Sequence, residues 1–385
     1  MEPAMRMDLA PSVTRSLFSP VELGDLRLAN RIVMAPMTRS RASADRVPSA
    51  LAPAYYGQRA SAGLIITEAT QVSTEAAGYP CTPGIYSAEQ VASWRRVVKA
   101  VHAGGGKVVL QLWHAGRVSH PLSLEGRRPV GPSAVAPTGE IFTSVGRRPF
   151  VVPRALEVGE IAELVARFAK AACLAREAEF DGVDIHGANG YLIDQFLRDG
   201  SNQRTDLYGG SPSNRVRLLR EITEAVCAVW GEDRVGVRLS PFLTDNDMRD
   251  SDPRATFTHA ALALESIGVA YLHVVEPGPG HPKSTADGKS LIRLLRRIFS
   301  GALIVDGGRD RLSAEAALGA SDADLVSFAT PFIANPDLVE RLARGFPLTS
   351  PDPSTFYTGG SRGYVDYPLY GISRADPDTY HPIPR

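Results

Sequence analysis

The sequence predicts an eight-stranded α/β barrel, and three observations support this fold class. Short runs of β-branched and other apolar residues recur along the chain, each followed by a segment long enough for an amphipathic helix. These runs are apolar throughout rather than alternating, as a parallel sheet buried on both faces requires. The strand–helix pairs number eight, at which a parallel sheet closes into a barrel filled by side chains. A doubly wound open sheet is the alternative that the count leaves open.

Eight predicted strands follow one another along the chain. In chain order they are RIVMA from Arg31, LIITE from Leu64, KVVLQL from Lys107, GVDIH from Gly182, VGVRL from Val235, YLHVV from Tyr271, ALIVDG from Ala302 and DLVSF from Asp324. Two connecting segments show most clearly the apolar spacing of an amphipathic helix, one from about Glu157 and one from about Asn214. Their apolar stripes are Ile161, Leu164, Val165 and Phe168 in the first, and Leu218, Leu219, Ile222 and Val226 in the second.

Two long segments break the alternation of strands and helices. About forty residues rich in proline and glycine separate the third strand from the helix near Glu157, more than an ordinary βα loop needs. We expect residues 114–156 to form a cap over the barrel mouth, with short strands around a turn at Gly139. Residues 351–385 are rich in proline, glycine and tyrosine, and we expect them to fold back over the barrel. The whole chain is predicted to be a single domain, with the barrel over about 17–368.

The composition excludes several classes of protein. The 385 residues include 42 basic and 42 acidic side chains, so nothing indicates binding to nucleic acid or to an anionic membrane. Three cysteines are too few and too scattered for a disulfide framework or a multi-cysteine zinc site. The first 15 residues lack the apolar core of a signal peptide, and no later run is long enough to span a bilayer. We expect a cytoplasmic protein, monomeric or homodimeric, that acts on a small molecule.

Residues just past each strand are the candidates for function, because the active site of an α/β barrel lies at the carboxyl ends of its strands. They are Pro36, Met37, Thr38, Glu68, Ala69, Gln111, Trp113, His186, Asn189, Tyr191, Arg238, Glu276, Gly307, Gly308, Phe328, Ala329 and Thr330. The set contains no cluster with metal-ligand spacing, so no metal site is predicted. The chain has no G-x-S-x-G elbow, and no cysteine follows a strand beside a base, which argues against a serine or cysteine hydrolase.

Neutral donors and a pair of glycines suit a planar heterocycle that carries a phosphate tail. Phosphate binding after the seventh and eighth strands is frequent in this fold, because glycine permits close backbone approach and helix N-termini favour anions. Gly307 and Gly308 follow the seventh predicted strand. The glycine run at Gly104 precedes a strand instead of joining a strand to a helix, so a separate dinucleotide-binding domain is not predicted.

Six motifs between about Leu17 and Pro368 resemble those of the Old Yellow Enzyme family of FMN-dependent ene-reductases. They are LFSPVELGDLRLANRIVMAPMTRSRA, TEATQVSTEAAGYP, QLWHAGRVSHP, VDIHGANGYLIDQFLRDGSNQRTDLYGGSPSNR, VGVRLSP and PFIANPDL. The resemblance is closest to the branch of maleimide, morphinone and 12-oxophytodienoate reductases. It implies a tightly bound FMN, NAD(P)H as the reductant, and an activated alkene that is reduced in a second, separate half-reaction.

The resemblance also implies roles for individual residues. The flavin ring would contact Pro36, Met37, Thr38, Ala69, Gln111 and Arg238, with Thr38 at O4 and Arg238 beside N1, and the phosphate would lie at Gly307, Gly308, Ala329 and Thr330. His186 and Asn189 would hold the carbonyl or nitro oxygen of the substrate, and Tyr191 would donate the proton to Cα. The substrate pocket would be lined by Tyr79, Trp113 and Tyr357.

The eighth strand departs from the family pattern. Where the family has Phe-Gly-Arg, this chain has Phe328-Ala329-Thr330, so a cation that would hold the phosphate is absent. One charge-assisted contact is worth about 1.5–3 kcal/mol, or roughly tenfold to a hundredfold in affinity. The seventh strand is followed by Gly-Gly-Arg, and we expect Arg309 to take over the missing charge. An exposed Arg309 paired with Asp310 is the alternative.

The implied roles have structural alternatives, and the function has two rivals. The structural alternatives are an internal hydrogen bond for His186, an ion pair of Arg238 with Asp184 or Glu68, a helix cap by Thr38, and packing under the cap by Trp113 and Tyr357. The rival functions are a flavin-dependent isomerase or biosynthetic tailoring enzyme, and a binding protein that has lost FMN. Substrate selectivity is expected to lie in the cap and in the loop EPGPGHPKSTADGK after the sixth strand.

Overall fold

The computed structural model describes residues 15–276 and 286–371 and contains a closed barrel of parallel strands surrounded by helices. The strands of these ranges are β1 (Val21–Leu23), β2 (Leu26–Leu28), β3 (Ile32–Met34), β4 (Leu64–Ile66), β5 (Thr70–Gln71), β6 (Val108–Trp113), β7 (Val130–Gly131), β8 (Glu140–Thr143), β9 (Gly146–Pro149), β10 (Arg154–Ala155), β11 (Gly182–Gly187), β12 (Val235–Leu239), β13 (Tyr271–Val275), β14 (Ala302–Asp306) and β15 (Leu325–Phe328). The α-helices are α1 (Ala52–Gly57), α2 (Ala88–Ala103), α3 (Val158–Glu177), α4 (Leu192–Leu197), α5 (Pro212–Arg215), α6 (Arg217–Trp230), α7 (Pro253–Ile267), α8 (Ala286–Ile298), α9 (Arg311–Gly319), α10 (Thr330–Ala334) and α11 (Leu338–Arg344). Within the described ranges, no helix is both long enough and apolar enough to cross a membrane.

The barrel closes where β6 meets β11. Around the barrel the strand order is β11, β12, β13, β14, β15, β3, β4 and β6, and β6 pairs in parallel with β11. The register sets Gln111 opposite Asp184 on one edge of β11, and His186 opposite Arg238 on its other edge. All eight predicted strands are therefore present, and the open doubly wound sheet is excluded.

Apolar strands and amphipathic helices pack together around the barrel. Every residue of β6, β11, β12 and β13 is buried, as a sheet covered on both faces requires. On α3 the predicted apolar stripe is buried apart from Val165, which is half-buried, and on α6 all four predicted residues are buried. These two helices pack against each other and against β11.

A hairpin of β1 and β2 covers the amino end of the barrel. Its side chains Leu23, Leu26 and Leu28 are buried in one apolar cluster with residues of β3, β4, β6, β13, β14 and β15. The hairpin turn packs closely on the segment before β12, since a Cβ on Gly24 would lie 2.1 Å from the carbonyl oxygen of Asp233. The hairpin leaves the opposite, carboxyl end of the barrel available for a site.

The predicted cap between β6 and α3 contains two pairs of short strands. There β7 pairs in parallel with β10, and β8 and β9 form an antiparallel hairpin. The hairpin turns at Ser144 and Val145, so the predicted turn at Gly139 is wrong. Gly139 precedes β8 with φ +90°, whereas the hydroxyl of Thr143 closes the turn by donating to the carbonyl oxygen of Gly146 at 2.6 Å.

The buried side chain of Arg117 attaches the cap to the barrel mouth. Its Nη1 donates to the carbonyl oxygen of Val135 at 3.1 Å, and its Nη2 donates to that of Asn246 at 3.1 Å. Its backbone N–H donates to Gln195 Oε1 at 3.0 Å. Because Asn246 follows β12 and Gln195 follows β11, the base of the cap lies beside the carboxyl ends of the barrel strands.

The C-terminal segment returns to the loop after β3. Two buried arginines of that loop donate to its carbonyl oxygens: Arg39 to Phe356 and Gly363, and Arg41 to Thr355, Phe356, Gly360 and Arg362. Tyr364 of the segment stacks on Tyr55 of α1, with ring centroids 4.1 Å apart. The segment therefore lies against the barrel as far as residue 371, and residues 372–385 lie outside the described ranges.

Candidate active site at the carboxyl ends of the strands

The backbone turns sharply after β11 and brings His186, Asn189 and Tyr191 to the barrel mouth. Asn189 has φ +59°, a left-handed conformation that reverses the chain before α4. Its N–H donates to Ser240 Oγ at 2.7 Å, and its carbonyl oxygen accepts from Asn246 Nδ2 at 2.8 Å. The loop after β12 therefore holds the turn that carries Asn189 between His186, at the end of β11, and Tyr191, at the start of α4.

His186 is held as a neutral hydrogen-bond donor. The N–H of Ala188 donates to His186 Nδ1 at 3.3 Å, so the ring carries its proton on Nε2. Burial, assisted by the charge of Arg238, lowers the pKa of His186 well below its usual value. The neighbouring Asn189 has a buried Oδ1 without a partner among the described residues. The Nε2–H of His186 and the side-chain amide of Asn189 are therefore available to form hydrogen bonds with a ligand.

Three aromatic side chains form one wall of the mouth. Tyr191 meets Trp113 edge-on with ring centroids 5.1 Å apart, and Tyr79 stacks on Trp113 at 6.2 Å. The hydroxyl of Tyr191 lies 3.5 Å from that of Tyr79. Burial, followed by the proximity of Tyr79, raises the pKa of Tyr191 well above its usual value. Its phenol is therefore neutral and keeps its proton at pH 7.

A buried carboxyl group orients the amide of Gln111. Gln111 Nε2 donates to Asp184 Oδ1 at 2.8 Å, and the hydroxyl of Tyr271 donates to Asp184 Oδ2 at 3.1 Å. Burial raises the pKa of Asp184 to about 7, against the opposing effects of Gln111, Arg238 and Tyr271. With its NH2 group directed at Asp184, Gln111 has its carbonyl Oε1 left to accept a hydrogen bond from a ligand.

Arg238 forms an ion pair, but with neither of the two partners considered from the sequence. Its Nη2 lies 2.5 Å from Asp306 Oδ2, and both residues are almost fully buried. Asp184 is occupied by Gln111, and Glu68 is bonded on the opposite side of the barrel, so the predicted pairings are wrong. Arg238 Nε is buried without a partner in the described part of the chain.

The loop after β3 places Thr38 beside a buried carboxyl group. Glu68 Oε2 accepts from the N–H of Arg39 at 3.1 Å, and the Glu68 N–H donates to the hydroxyl of Tyr56 at 3.0 Å. Burial raises the pKa of Glu68 to about 7. Thr38 itself caps no helix, since α1 begins only after Leu51, so that alternative is excluded.

The turns after β14 and β15 lie side by side, because these two strands pair. Gly308 has φ +66°, which favours glycine, and a Cβ on Gly307 would lie 3.1 Å from the Cβ of Glu276. Ala329 has φ −94°, so its backbone accepts the Cβ that replaces the glycine of the family pattern. Thr330 is exposed at the start of α10.

Arg309 is paired with Glu276 at the end of β13. The alternative pair with Asp310 is wrong, because Asp310 instead caps α9 by accepting from the N–H of Ser313 at 2.8 Å. The side chain of Arg309 is 21% exposed, so it lies at the rim of the mouth. A contact of Arg309 with a phosphate stays a prediction.

The remaining predicted pocket residues differ in exposure. Trp113 is 1% exposed, whereas Tyr357 on the C-terminal segment is 64% exposed. Tyr357 is close enough to contribute to the raised pKa of Tyr79 and Tyr191, after burial. The loop after the sixth barrel strand falls largely on residues 277–285, outside the described ranges. No group of metal-ligating side chains occurs among the described residues.

Three buried carboxyl groups, Glu68, Asp184 and Asp306, hold the site together in contacts that the sequence did not predict. Asp184 and Asp306 lie within or at the end of an apolar strand, Glu68 lies two residues past β4, and each contacts a predicted site residue or its immediate neighbour. An acidic residue in a strand that is buried on both faces is costly unless it is paired. That cost is the sequence feature from which they could have been found.

The chain is similar to known flavin enzymes along almost its whole length. Residues 16–349 match the model of the NADH:flavin oxidoreductase / NADH oxidase family. It is 44% identical over 359 residues to a probable flavin mononucleotide-dependent alkene reductase of Leishmania infantum, covering 92% of this chain and 97% of that protein. It is 43% identical over 380 residues to 12-oxophytodienoate reductase 7 of Oryza sativa subsp. japonica, covering 92% and 95% of the two chains.

Solved structures show the same barrel. An Old Yellow Enzyme homologue from Zymomonas mobilis superposes with a TM-score of 0.89 at 44% identity, over 92% of this chain and 99% of that one. Morphinone reductase superposes with a TM-score of 0.90 at 46% identity, over 95% and 100%. Morphinone reductase in complex with tetrahydroNAD superposes with a TM-score of 0.88 at 47% identity, over 94% and 99%.

Proposed function

Because the chain belongs to the NADH:flavin oxidoreductase / NADH oxidase family, we propose that it reduces the activated C=C bond of α,β-unsaturated carbonyl or nitro compounds. It is an FMN-dependent oxidoreductase of the Old Yellow Enzyme type, with NAD(P)H as its co-substrate. The observation that carries the narrower proposal is the neutral Nε2–H of His186 at the end of β11 together with the protonated phenol of Tyr191 on the turn that follows. The amide NH2 of Asn189, between them on that turn, would be the third donor. A reductase of polarised alkenes needs donors of this kind, because it must stabilise an oxyanion and deliver one proton.

The residues at the mouth fit an FMN. The isoalloxazine ring would meet the free Oε1 of Gln111 and the unpartnered Nε of Arg238, with Thr38 and Ala69 on the opposite strands and Pro36 and Met37 packing on it. The phosphate would lie at Gly307 and Gly308 and at the turn of Ala329 and Thr330, where backbone conformation permits close approach. When bound, FMN supplies a hydride that it has accepted from NAD(P)H.

His186 and Asn189 hold the substrate oxygen. Negative charge develops on that oxygen as the β-carbon is reduced, and donors that are already oriented stabilise it without reorganisation. The N–H of Ala188 on Nδ1 leaves only Nε2 of His186 to donate. Removing one such donor costs roughly 100-fold to 1,000-fold in rate in comparable sites.

Tyr191 supplies the proton that Cα receives. A phenol whose pKa is raised by burial keeps its proton at pH 7 and gives it up only to a strong base such as the developing carbanion. Its neighbours Trp113 and Tyr79 exclude water from one side and hold the ring edge-on. Tyr357 on the C-terminal segment completes the rim of the pocket.

Two rival functions use the same residues differently. An isomerase or tailoring enzyme would use His186 and Tyr191 for proton transfer without net reduction, and a binding protein would carry no flavin. The retained donors argue against the second rival, because a protein that only binds has no need of a buried phenol beside a neutral imidazole.

An anaerobic titration separates the three functions. We expect the purified protein to be yellow, to lose its flavin absorbance on addition of NADPH or NADH, and to recover it when cyclohexenone or a maleimide is added. Saturated product, measured by mass spectrometry, should equal the reductant consumed. A colourless protein that takes up no FMN would contradict the proposal and favour a binding protein. Isomerised product formed without consumption of the reductant would favour an isomerase.

A further inference from the structure

Asp306 ends β14 and reaches over β13 to the guanidinium of Arg238. Asp306 Oδ2 lies 2.5 Å from Arg238 Nη2, and the two residues are 8% and 6% exposed. The carbonyl oxygen of Asp306 accepts from the N–H of Glu276 at 2.7 Å, which fixes the strand end. The carboxylate is therefore held by backbone and side chain at the point where the strand gives way to the Gly307 turn.

His273 of β13 lies between Asp306 and Arg238 and adds no charge of its own to this pair. Its Nε2 is 2.8 Å from Ser327 Oγ and 4.0 Å from Asp306 Oδ2. Burial, with the charge of Arg238, lowers the pKa of His273 well below its usual value, so the ring is neutral. His186, on the other side of Arg238, is neutral for the same reasons. Asp306 is the carboxylate bonded to Arg238, and Asp184, whose raised pKa Arg238 opposes, is a second acidic group close enough to interact with its charge.

The guanidinium of Arg238 is only partly used by this pair. Nη2 is directed at Asp306, while Nε is buried without a partner among the described residues. Arg238 can therefore contact a ligand in the mouth while it stays bonded to Asp306. Any ligand there meets an ion pair of nearly zero net charge instead of an isolated cation.

We propose that Asp306 is a positioning residue that neutralises Arg238 and thereby lowers the reduction potential of the bound flavin. The inference rests on the proposed function, in which Arg238 lies beside N1 of the ring. Reduction by a hydride adds negative charge to that end of the ring, and an unpaired guanidinium would stabilise this charge strongly in a site shielded from water. Pairing with Asp306 weakens that stabilisation, so the reduced flavin gives up its hydride more readily.

The test compares the reduction potentials of the flavin in the wild type and in Asp306→Asn, by equilibration with a redox dye in the absence of substrate. We expect the ratio of affinities for reduced and oxidised FMN to rise at least tenfold in the variant, about 30 mV for a two-electron couple. Asp306→Glu, which keeps the charge, should stay close to the wild type. Asp322→Asn removes the same charge from an exposed pair with Arg293 and should change nothing.

Each outcome decides the proposal. Equal potentials in Asp306→Asn and the wild type would overturn it, as would a shift of the same size in Asp322→Asn. Asp306→Ser is a second neutral variant in case asparagine is not tolerated. If neither neutral variant folds while Asp306→Glu does, the role of Asp306 is structural and the proposal fails.

Failure of the proposed function would look different. The dye titration needs bound FMN but no alkene, so a wild type that holds FMN and reduces no enone would refute the proposed function and leave the comparison of potentials intact. Conversely, a wild type that reduces enones, with potentials that do not respond to Asp306, would refute only this inference.

Discussion

Tyr191 and His186 show at the residue scale how burial prepares two neutral donors. Each has an ordinary pKa that burial moves away from neutrality, upward for the phenol and downward for the imidazole. Around pH 7 both therefore keep the proton that the proposed chemistry uses. Neither depends on a charged neighbour as the main cause.

Tyr191→Phe tests the proton donor. Reduction of an enone by the reduced enzyme should slow by roughly 100-fold or more, the usual contribution of a positioned acid. Reduction of the flavin by NAD(P)H should be unchanged, because no proton is needed at Cα in that half-reaction. Stopped-flow absorbance of the two half-reactions measures both. Tyr79→Phe is the matched control, and an equal loss there would show that the contact between the two hydroxyl groups, and not proton donation by Tyr191 itself, is responsible.

Glu68→Gln tests the buried carboxyl group beside Thr38. Burial raises the pKa of Glu68 from 4.5 to about 7, so the folded state binds the proton more tightly than the unfolded state. The stability that the protonated form contributes is present below pH 4.5 and is lost as the pH rises to about 7.

The variant lacks this titration. Its free energy of unfolding should therefore rise relative to that of the wild type by about 1.4 kcal/mol per pH unit between pH 4.5 and about 7, with no further change at higher pH. Urea unfolding at a series of pH values measures the difference. A difference that does not vary with pH would mean that Glu68 is ionised in the folded protein throughout.

The arginines of the loop after β3 act at the scale of elements, by joining the C-terminal segment to the barrel. Arg41→Ala removes hydrogen bonds to four carbonyl oxygens of residues 355–362. We expect a loss of about 2–4 kcal/mol in the free energy of unfolding and faster amide exchange in this segment. The KM for enones should rise more than kcat falls, because Tyr357 is displaced. Arg362→Ala, at a position 80% exposed, should leave exchange and KM unchanged.

The paired turns after β14 and β15 form a second element-scale unit, where Arg309 is expected to replace a missing cation. Arg309→Ala should weaken FMN binding about tenfold or more, since a charge-assisted contact is worth at least about 1.4 kcal/mol. Fluorescence titration of the apoprotein with FMN measures the Kd. Arg311→Ala, two residues further on at the start of α9, is the control. An unchanged Kd for Arg309→Ala would assign Arg309 to its ion pair with Glu276 alone.

The whole molecule should lose stability in acid because of three buried neutral histidines, His114, His186 and His273. The pKa of each is lowered by burial, to about 3 for His114, so the unfolded chain binds more protons below about pH 6.5. Their contribution is complete above that pH and falls as the pH drops, by up to about 1.4 kcal/mol per pH unit for each histidine. Glu68 and Asp184, with pKa values raised to about 7, act in the opposite direction.

His114→Gln isolates one of these contributions. Glutamine can still accept from the N–H of Gly116, which donates to His114 Nδ1 at 3.0 Å in the wild type. The free energy of unfolding of the variant should rise relative to that of the wild type by about 1.4 kcal/mol for each pH unit below pH 6.5, because only the wild type has a histidine that is protonated on unfolding. Urea unfolding between pH 5 and pH 8 measures this. A parallel pair of curves would show that His114 is protonated in the folded state.

Much of the fold and part of the site could be predicted from the sequence. The eight barrel strands are local runs of apolar residues, and the loop HGANGY carries three candidate residues within six positions, so neither needed knowledge of distant contacts. The predicted hairpin turn in the cap was misplaced, because both Gly139 and Gly146 allow a turn, and the hydrogen bond from Thr143 to Gly146 that closes the observed turn cannot be read from glycine positions.

The sequence by itself determined that Thr38, Gln111, His186 and Arg238 follow or end barrel strands, because the apolar runs that form strands consist of neighbouring residues. The rule that barrel sites lie at the carboxyl ends of the strands then predicts that these residues lie at the same end of the barrel. The pairing of charges was not determined in that way. Arg238 could meet any of several carboxylates on other strands, and the choice of Asp306 depends on barrel register and on which groups Gln111 and Arg39 already occupy. Only the folded barrel decides this, since the partners are 68 residues apart along the chain and their distance is set by the whole closed sheet.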